Sequence, residues 1–165
     1  MKRLLLLSLA VLVLVGCSQE NDPGKMRFSY PRAEFSYNRA DSVIVSEFRE
    51  VDRSLSVGAL LSMYLEGPMD STLVNPFPQG LSIQSVWNDG HTLFITVSDH
   101  MATLSGAPLI LACSCLGRTA MDISGAASAD IRCESLLLDG KKSITVNADT
   151  VIYTDTIVSY ENETE

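Results

Sequence analysis

Residues Leu81–Ser98 read LSIQSVWNDGHTLFITVS, and this stretch decides how the rest of the chain is read. Leu93, Ile95 and Val97 alternate with Thr92, Phe94 and Thr96, the two-residue period of a strand with one face on a core. Asn88, Asp89 and Gly90 supply turn chemistry just before it, so Leu81 to Trp87 and Thr92 to Ser98 are predicted to form a hairpin. A helix should flank it on each side. Upstream, Ser54 or Ser56 caps a segment whose Val57, Leu60, Leu61, Tyr64 and Leu65 fall at helical spacing. Gly67-Pro68 ends that segment, because glycine tolerates a left-handed cap and proline cannot continue the ladder. Downstream, a second helix is expected from about Gly106 or Pro108 to Asp122. Its stripe is Leu109, Cys113, Leu116 and Ala120, with Ser114, Arg118 and Asp122 on a wet side.

Further strands are expected at Met26–Tyr30 and Ser42–Val51, which mix β-branched and aromatic residues with polar ones. Ala129, Ile131, Cys133 and Leu137 alternate with Asp130, Arg132 and Glu134, Asp139-Gly140 turns the chain, and Lys141–Val146 returns. Val151–Val158 is a candidate edge strand. The order of elements predicts an α+β fold, a mixed or antiparallel sheet with two helices packed on one face.

The N-terminus has a different character. Lys2 and Arg3 precede an apolar run from Leu4 to Val13, about half the roughly 20 residues a membrane-spanning helix needs. This is the anatomy of an export signal. Leu14-Val15-Gly16-Cys17 closes the run and resembles the lipobox of bacterial lipoproteins, which implies cleavage after residue 16 and acylation of Cys17. The alternative is an ordinary cleaved signal with an incidental cysteine. Two acyl chains hold a protein stably where one holds it only marginally. The predicted organisation is a signal at 1–16, a lipidated Cys17 and tether at 17–25, a folded domain at 26–158 and an acidic tail at 159–165. The expected location is the extracytoplasmic face of the cell membrane. Ser18–Lys25 (SQENDPGK) stretches to at most about 27 Å, which keeps the domain near the bilayer.

Composition removes some partners. The chain has 12 Lys and Arg against 20 Asp and Glu, so a nucleic-acid partner is not expected, since phosphate binding needs clustered cations. Cys113 and Cys115 match no zinc spacing and would point to nearly opposite sides of a helix; no metal or cofactor is expected. Buried thiols and a bridge from the helix to Cys133 both remain open, since export permits oxidation.

Seven collinear strings, FSYPRAEF, VIVSEFREV, LLSMYLEGP, NPFPQGLSIQSVWNDG, TLFITVS, LILACSCLGRTAMDIS and SLLLDGKKSITV, resemble the GerMN domain, the sporulation and spore germination module of Gram-positive bacteria. The resemblance covers about residues 26 to 155. It implies a small α+β module similar in shape to ring-building domains, carried by membrane-attached or exported proteins, with no catalytic residue set to carry over. Some members have two copies, whereas this chain has room for one.

Catalytic chemistry has one candidate cluster, Ser98, Asp99 and His100 with His91 across the hairpin. Neighbouring residues on an extended segment point in different directions, so this is not a ready triad. An exported enzyme or a protein that binds wall polymer or a small ligand is the alternative class. Two segments are candidate partner-binding surfaces. Tyr30 and Arg32, with Phe35, Tyr37 and Arg39, either hold sugars or acidic polymer or pack on the sheet with the arginines paired to Glu34 or Asp41, and packing is favoured. In the proline-containing loop Met69–Gly80, Met69 and Val74 are candidate docking residues and Phe77 is expected to cover the core. The expected partners are the membrane, through the lipid, and an envelope protein or peptidoglycan; the oligomeric state stays open.

Overall fold

The computed structural model describes residues 25–34, 43–136 and 140–150. Within them the elements run β1 (Lys25–Pro31), β2 (Ile44–Glu50), α1 (Val57–Leu65), β3 (Ile83–Asn88), β4 (Thr92–Val97), α2 (Gly106–Ser124), β5 (Ser128–Arg132) and β6 (Ser143–Asn147), with a 3-10 turn at Asp99–Thr103. The fold is α+β, as the order of elements predicts. The expected hairpin is β3 and β4, with Trp87 opposite Phe94 and Val86 opposite Ile95. Leu93, Ile95 and Val97 are buried on the face predicted for the core.

The strands divide between two sheets. β1 and β2 pair antiparallel by themselves, and the second sheet has the order β3-β4-β5-β6. β4 and β5 are parallel, so the 3-10 turn and α2 form the crossover between them. That placement puts α2 between the sheets, against β1 on one side and β4, β5 and β6 on the other. A helix so enclosed has little wet surface. Ser114, expected on the polar side, is buried together with Cys113, Cys115 and Gly117, while Asp122 near the helix end is exposed. Small residues let a strand approach α2 on each of two sides, with Thr119 facing β1 and Gly117 facing β6. Thr119 Oγ1 accepts a hydrogen bond from the Ser29 amide of β1 at 2.9 Å, and an added methyl at Gly117 would lie 2.6 Å from Val146 Cβ in β6.

The helix limits follow local chemistry. Ser56 caps α1, its Oγ accepting from the Ala59 amide at 3.2 Å, and Leu60, Leu61 and Tyr64 are its buried residues. α2 tolerates Pro108 in its first turn, and it ends at Gly125, whose φ of 71° suits a residue without a Cβ. In the core, Tyr64 of α1 stacks on Phe28 of β1 at 5.7 Å and meets the edge of Phe77 at 5.2 Å. Phe77 therefore covers the core, as expected. Phe35, Tyr37, Arg39 and Asp41, the turn at Asp139, the strand Val151–Val158, the acidic tail, the signal and the tether up to Gly24 lie outside the described residues, while Lys25, expected in the tether, opens β1.

Candidate functional site

The four candidate surface residues separate in the structure. Tyr30 has no exposed surface; its hydroxyl donates to the Tyr64 carbonyl at 2.7 Å, and its ring lies 4.7 Å from that of Tyr64. It is core, the packing alternative of the sequence reading. Arg32, Met69 and Val74 are exposed, Met69 to 80%. Backbone bonds bring two of them together: the Val74 amide donates to the Pro31 carbonyl at 2.9 Å, and the Ala33 amide to that of Thr72 at 2.8 Å. The loop from Met69 to Val74 thus lies along the end of β1.

What fixes this loop is a pair that sequence reading missed. Glu47 Oε1 accepts from the amides of Met69 and Asp70, each at 2.9 Å. Its Oε2 accepts from Arg49 Nε at 2.9 Å. The guanidinium in turn donates to the Gly67 carbonyl at 2.7 Å and to the Tyr30 hydroxyl at 3.1 Å. It lies 5.0 Å and 5.4 Å from the ring centres of Phe28 and Tyr30. Both charged side chains are about nine-tenths covered, so the carboxylate meets the desolvation cost of burial with charge-assisted hydrogen bonds. Between them Phe48 points outward and is partly exposed. The available signal was the i, i+2 spacing of Glu47 and Arg49, which puts opposite charges on one strand face. Lys25, Phe48, Met63 and Met69 line a groove of about 850 Å³ beside this pair.

Ser98, Asp99 and His100 do not assemble a triad. Ser98 Oγ and His100 Nδ1 are 3.3 Å apart, but Asp99 Oδ1 accepts from the Ser135 amide at 3.1 Å and faces the Cys133 thiol at 3.8 Å. The His91 carbonyl accepts from Ala127 and Ser128, joining the hairpin turn to β5. Cys113, Cys115 and Cys133 are buried free thiols. Burial pushes Cys113 up to about 12, with a smaller contribution from Cys133, and raises Cys115 as well. Such thiols are poor nucleophiles and poor metal ligands. Among the described residues there is no group of three His, Cys, Asp or Glu side chains able to hold a metal ion, and no helix long and apolar enough to cross a membrane.

A second groove, of about 480 Å³, runs between the N-terminal half of α1 and edge strand β3. Trp87 on its rim is 60% exposed, with its indole 4.6 Å from the Phe94 ring.

The fold as a whole is similar to that of a known structure. That of the tandem GerMN domains of the sporulation protein GerM from Bacillus subtilis matches with a TM-score of 0.58 at 12% sequence identity, over 86% of this chain and 51% of that one. The chain has a GerMN-like fold. It spans about half the length of the tandem GerM structure. A candidate lipoprotein from Clostridium perfringens is also similar, with a TM-score of 0.48 at 16% identity over 77% of this chain and 90% of that one. No protein-family model and no curated protein sequence matches the chain.

Proposed function

We propose that the protein is a lipoprotein anchored through Cys17 on the extracytoplasmic face of the cell membrane, where its GerMN-like domain serves as a non-catalytic interaction module. The observation that carries this reading is the order of Lys2-Arg3, the apolar run Leu4–Val13 and Leu14-Val15-Gly16-Cys17. The fold supports it from the other end. β1 starts at Lys25, so a tether of at most about 27 Å links the acylated residue to the first strand. Lys25 shares its groove with the exposed Met69 and Phe48, so an anchor joined through Lys25 would lie beside these two side chains. From there the loop leads to Val74 and Arg32 at the other end of β1.

Anchoring confines the module to a thin layer, and the effective concentration there lets weak contacts matter. An envelope protein is the partner suited to Arg32, Met69 and Val74, in cell-envelope assembly or in the sporulation setting of GerM. The test is photo-crosslinking from position 74 in intact cells, in the wild type and in Cys17→Ser. Wild type is expected in the membrane fraction and crosslinked to a defined envelope protein, with both lost in Cys17→Ser. An unchanged membrane fraction and crosslink in Cys17→Ser would contradict the proposal.

A further inference from the structure

We propose that the groove along the outer edge of β2 is a lipid-contacting surface, with Met69 and Phe48 entering the headgroup–acyl boundary of the membrane that holds the anchor. The proposal rests on the Cys17 anchor above and adds the face that the domain turns to the bilayer. It gives Met69 to the lipid and leaves Arg32 and Val74 to the protein partner. Its first support is the length of chain before β1 and the point where that chain joins. At most about 27 Å separates the acylated residue from Lys25, and Lys25 itself lines the groove. Two acyl chains already hold the domain at the bilayer, so a few exposed apolar side chains suffice to set its orientation there.

The second support is exposure. Phe48 is 40% and Met69 80% exposed, and both lie in this lining with Val51 and Met63. The consecutive residues Glu47 to Val51 form one wall of the groove, because β2 pairs with β1 alone and its other edge is open. Phe48 and Glu47 point to opposite faces of the strand, and Glu47 Oε1 holds Met69 on its own side by accepting from its amide at 2.9 Å. The two apolar side chains therefore straddle the open edge. Backbone groups on that edge need water or headgroups, which limits the contact to the boundary depth. Charge is the third support. The chain carries a formal charge of −8, whereas the lining sets Lys25 and Arg49 against Glu47, Glu50 and Glu66. Glu47 is paired with Arg49, and Glu50 faces Lys25 in the strand register. A face so nearly neutral meets a lipid surface with little repulsion, and apolar burial rather than ionic attraction drives the contact.

Trp87 is the chain's single tryptophan and lies on β3 in the other sheet, so moving it tests the contact without a label. Wild type and Phe48→Trp/Trp87→Phe, each as the full acylated chain, are reconstituted in phosphatidylcholine vesicles with and without a lipid that carries a nitroxide quencher near the head of its acyl chain. Flotation with the vesicles reads the anchor, and quenching of tryptophan emission reads the contact. Both chains are expected to float, with emission from position 48 shifted to the blue and quenched severalfold more than that of Trp87. Adding Met69→Ser to Phe48→Trp/Trp87→Phe should lower this quenching severalfold with far-ultraviolet circular dichroism unchanged. High salt should leave the quenching as it is, since apolar burial is not screened. Equal quenching of the two chains, no effect of Met69→Ser, or quenching lost at high salt would overturn the proposal; a protein strand seated on this edge in place of lipid gives the first of these results. A chain that does not float removes the anchor and this contact with it, whereas one that floats unquenched at position 48 removes the contact alone.

Discussion

At position 117 the absence of a single methyl group sets how closely α2 lies against β6. Alanine is the better helix former by about 1 kcal/mol, but its Cβ would lie 2.6 Å from Val146 Cβ, an atom fixed to the strand backbone that cannot rotate aside. Overpacking costs about 1–3 kcal/mol and outweighs the propensity gain. Gly117→Ala should lower the urea midpoint, and Val146→Ala in the same chain should recover part of the loss relative to the sum of the two single changes. Arg49 is a second residue with a large expected effect. Arg49→Met would leave the Glu47 carboxylate nine-tenths covered without its cation, at a cost of about 3 kcal/mol, and adding Glu47→Gln should restore part of it in a double-mutant cycle. Neither residue stands out by type in the sequence. Gly117 lies inside a helical pattern with no turn signal, and the Glu47–Arg49 pair falls in a strand that reads as half-exposed.

Among the elements, the helices and the β3–β4 hairpin were legible because each follows one clear period between chemical stops. Sheet membership was not, since alternation tells which residues share a face and leaves open which strand lies beside them. The hint lay in α2, where no charge occurs between Leu109 and Arg118, so that both helix faces had to be covered. Of the candidate docking elements, the loop Met69–Val74 was legible as a loop, but its fastening by Glu47 depends on a contact across more than twenty residues. Glu47→Gln keeps the shape and weakens the charge-assisted bonds to the Met69 and Asp70 amides. Those two amides should exchange hydrogen faster than in wild type while the amides of β4 exchange unchanged; equal rates at Met69 and Asp70 would exclude the fastening role.

For the molecule as a whole, the two-sided core carries a pH dependence. Burial keeps Cys113 neutral, pushing its thiol from 9.0 up to about 12, and raises Cys115, Tyr64 and Tyr30, the last in opposition to the nearby Arg49. The folded chain retains protons that the unfolded chain releases above pH 9.0. The unfolded state then binds fewer protons, and stability falls as pH rises towards 12. Urea midpoints should therefore drop between about pH 8 and 10.5, less steeply in Cys113→Ala; a flat profile would contradict the placement of these groups. The sequence made the α+β class legible through its periods. The anchoring reading rests on the short segment ending at Cys17, and its most direct test is mass spectrometry of the mature N-terminus from isolated membranes. The account predicts a chain that begins at Cys17 and carries diacylglycerol on its sulfur. A chain that retains residues 1–16, or one with an unmodified Cys17 thiol, would contradict it.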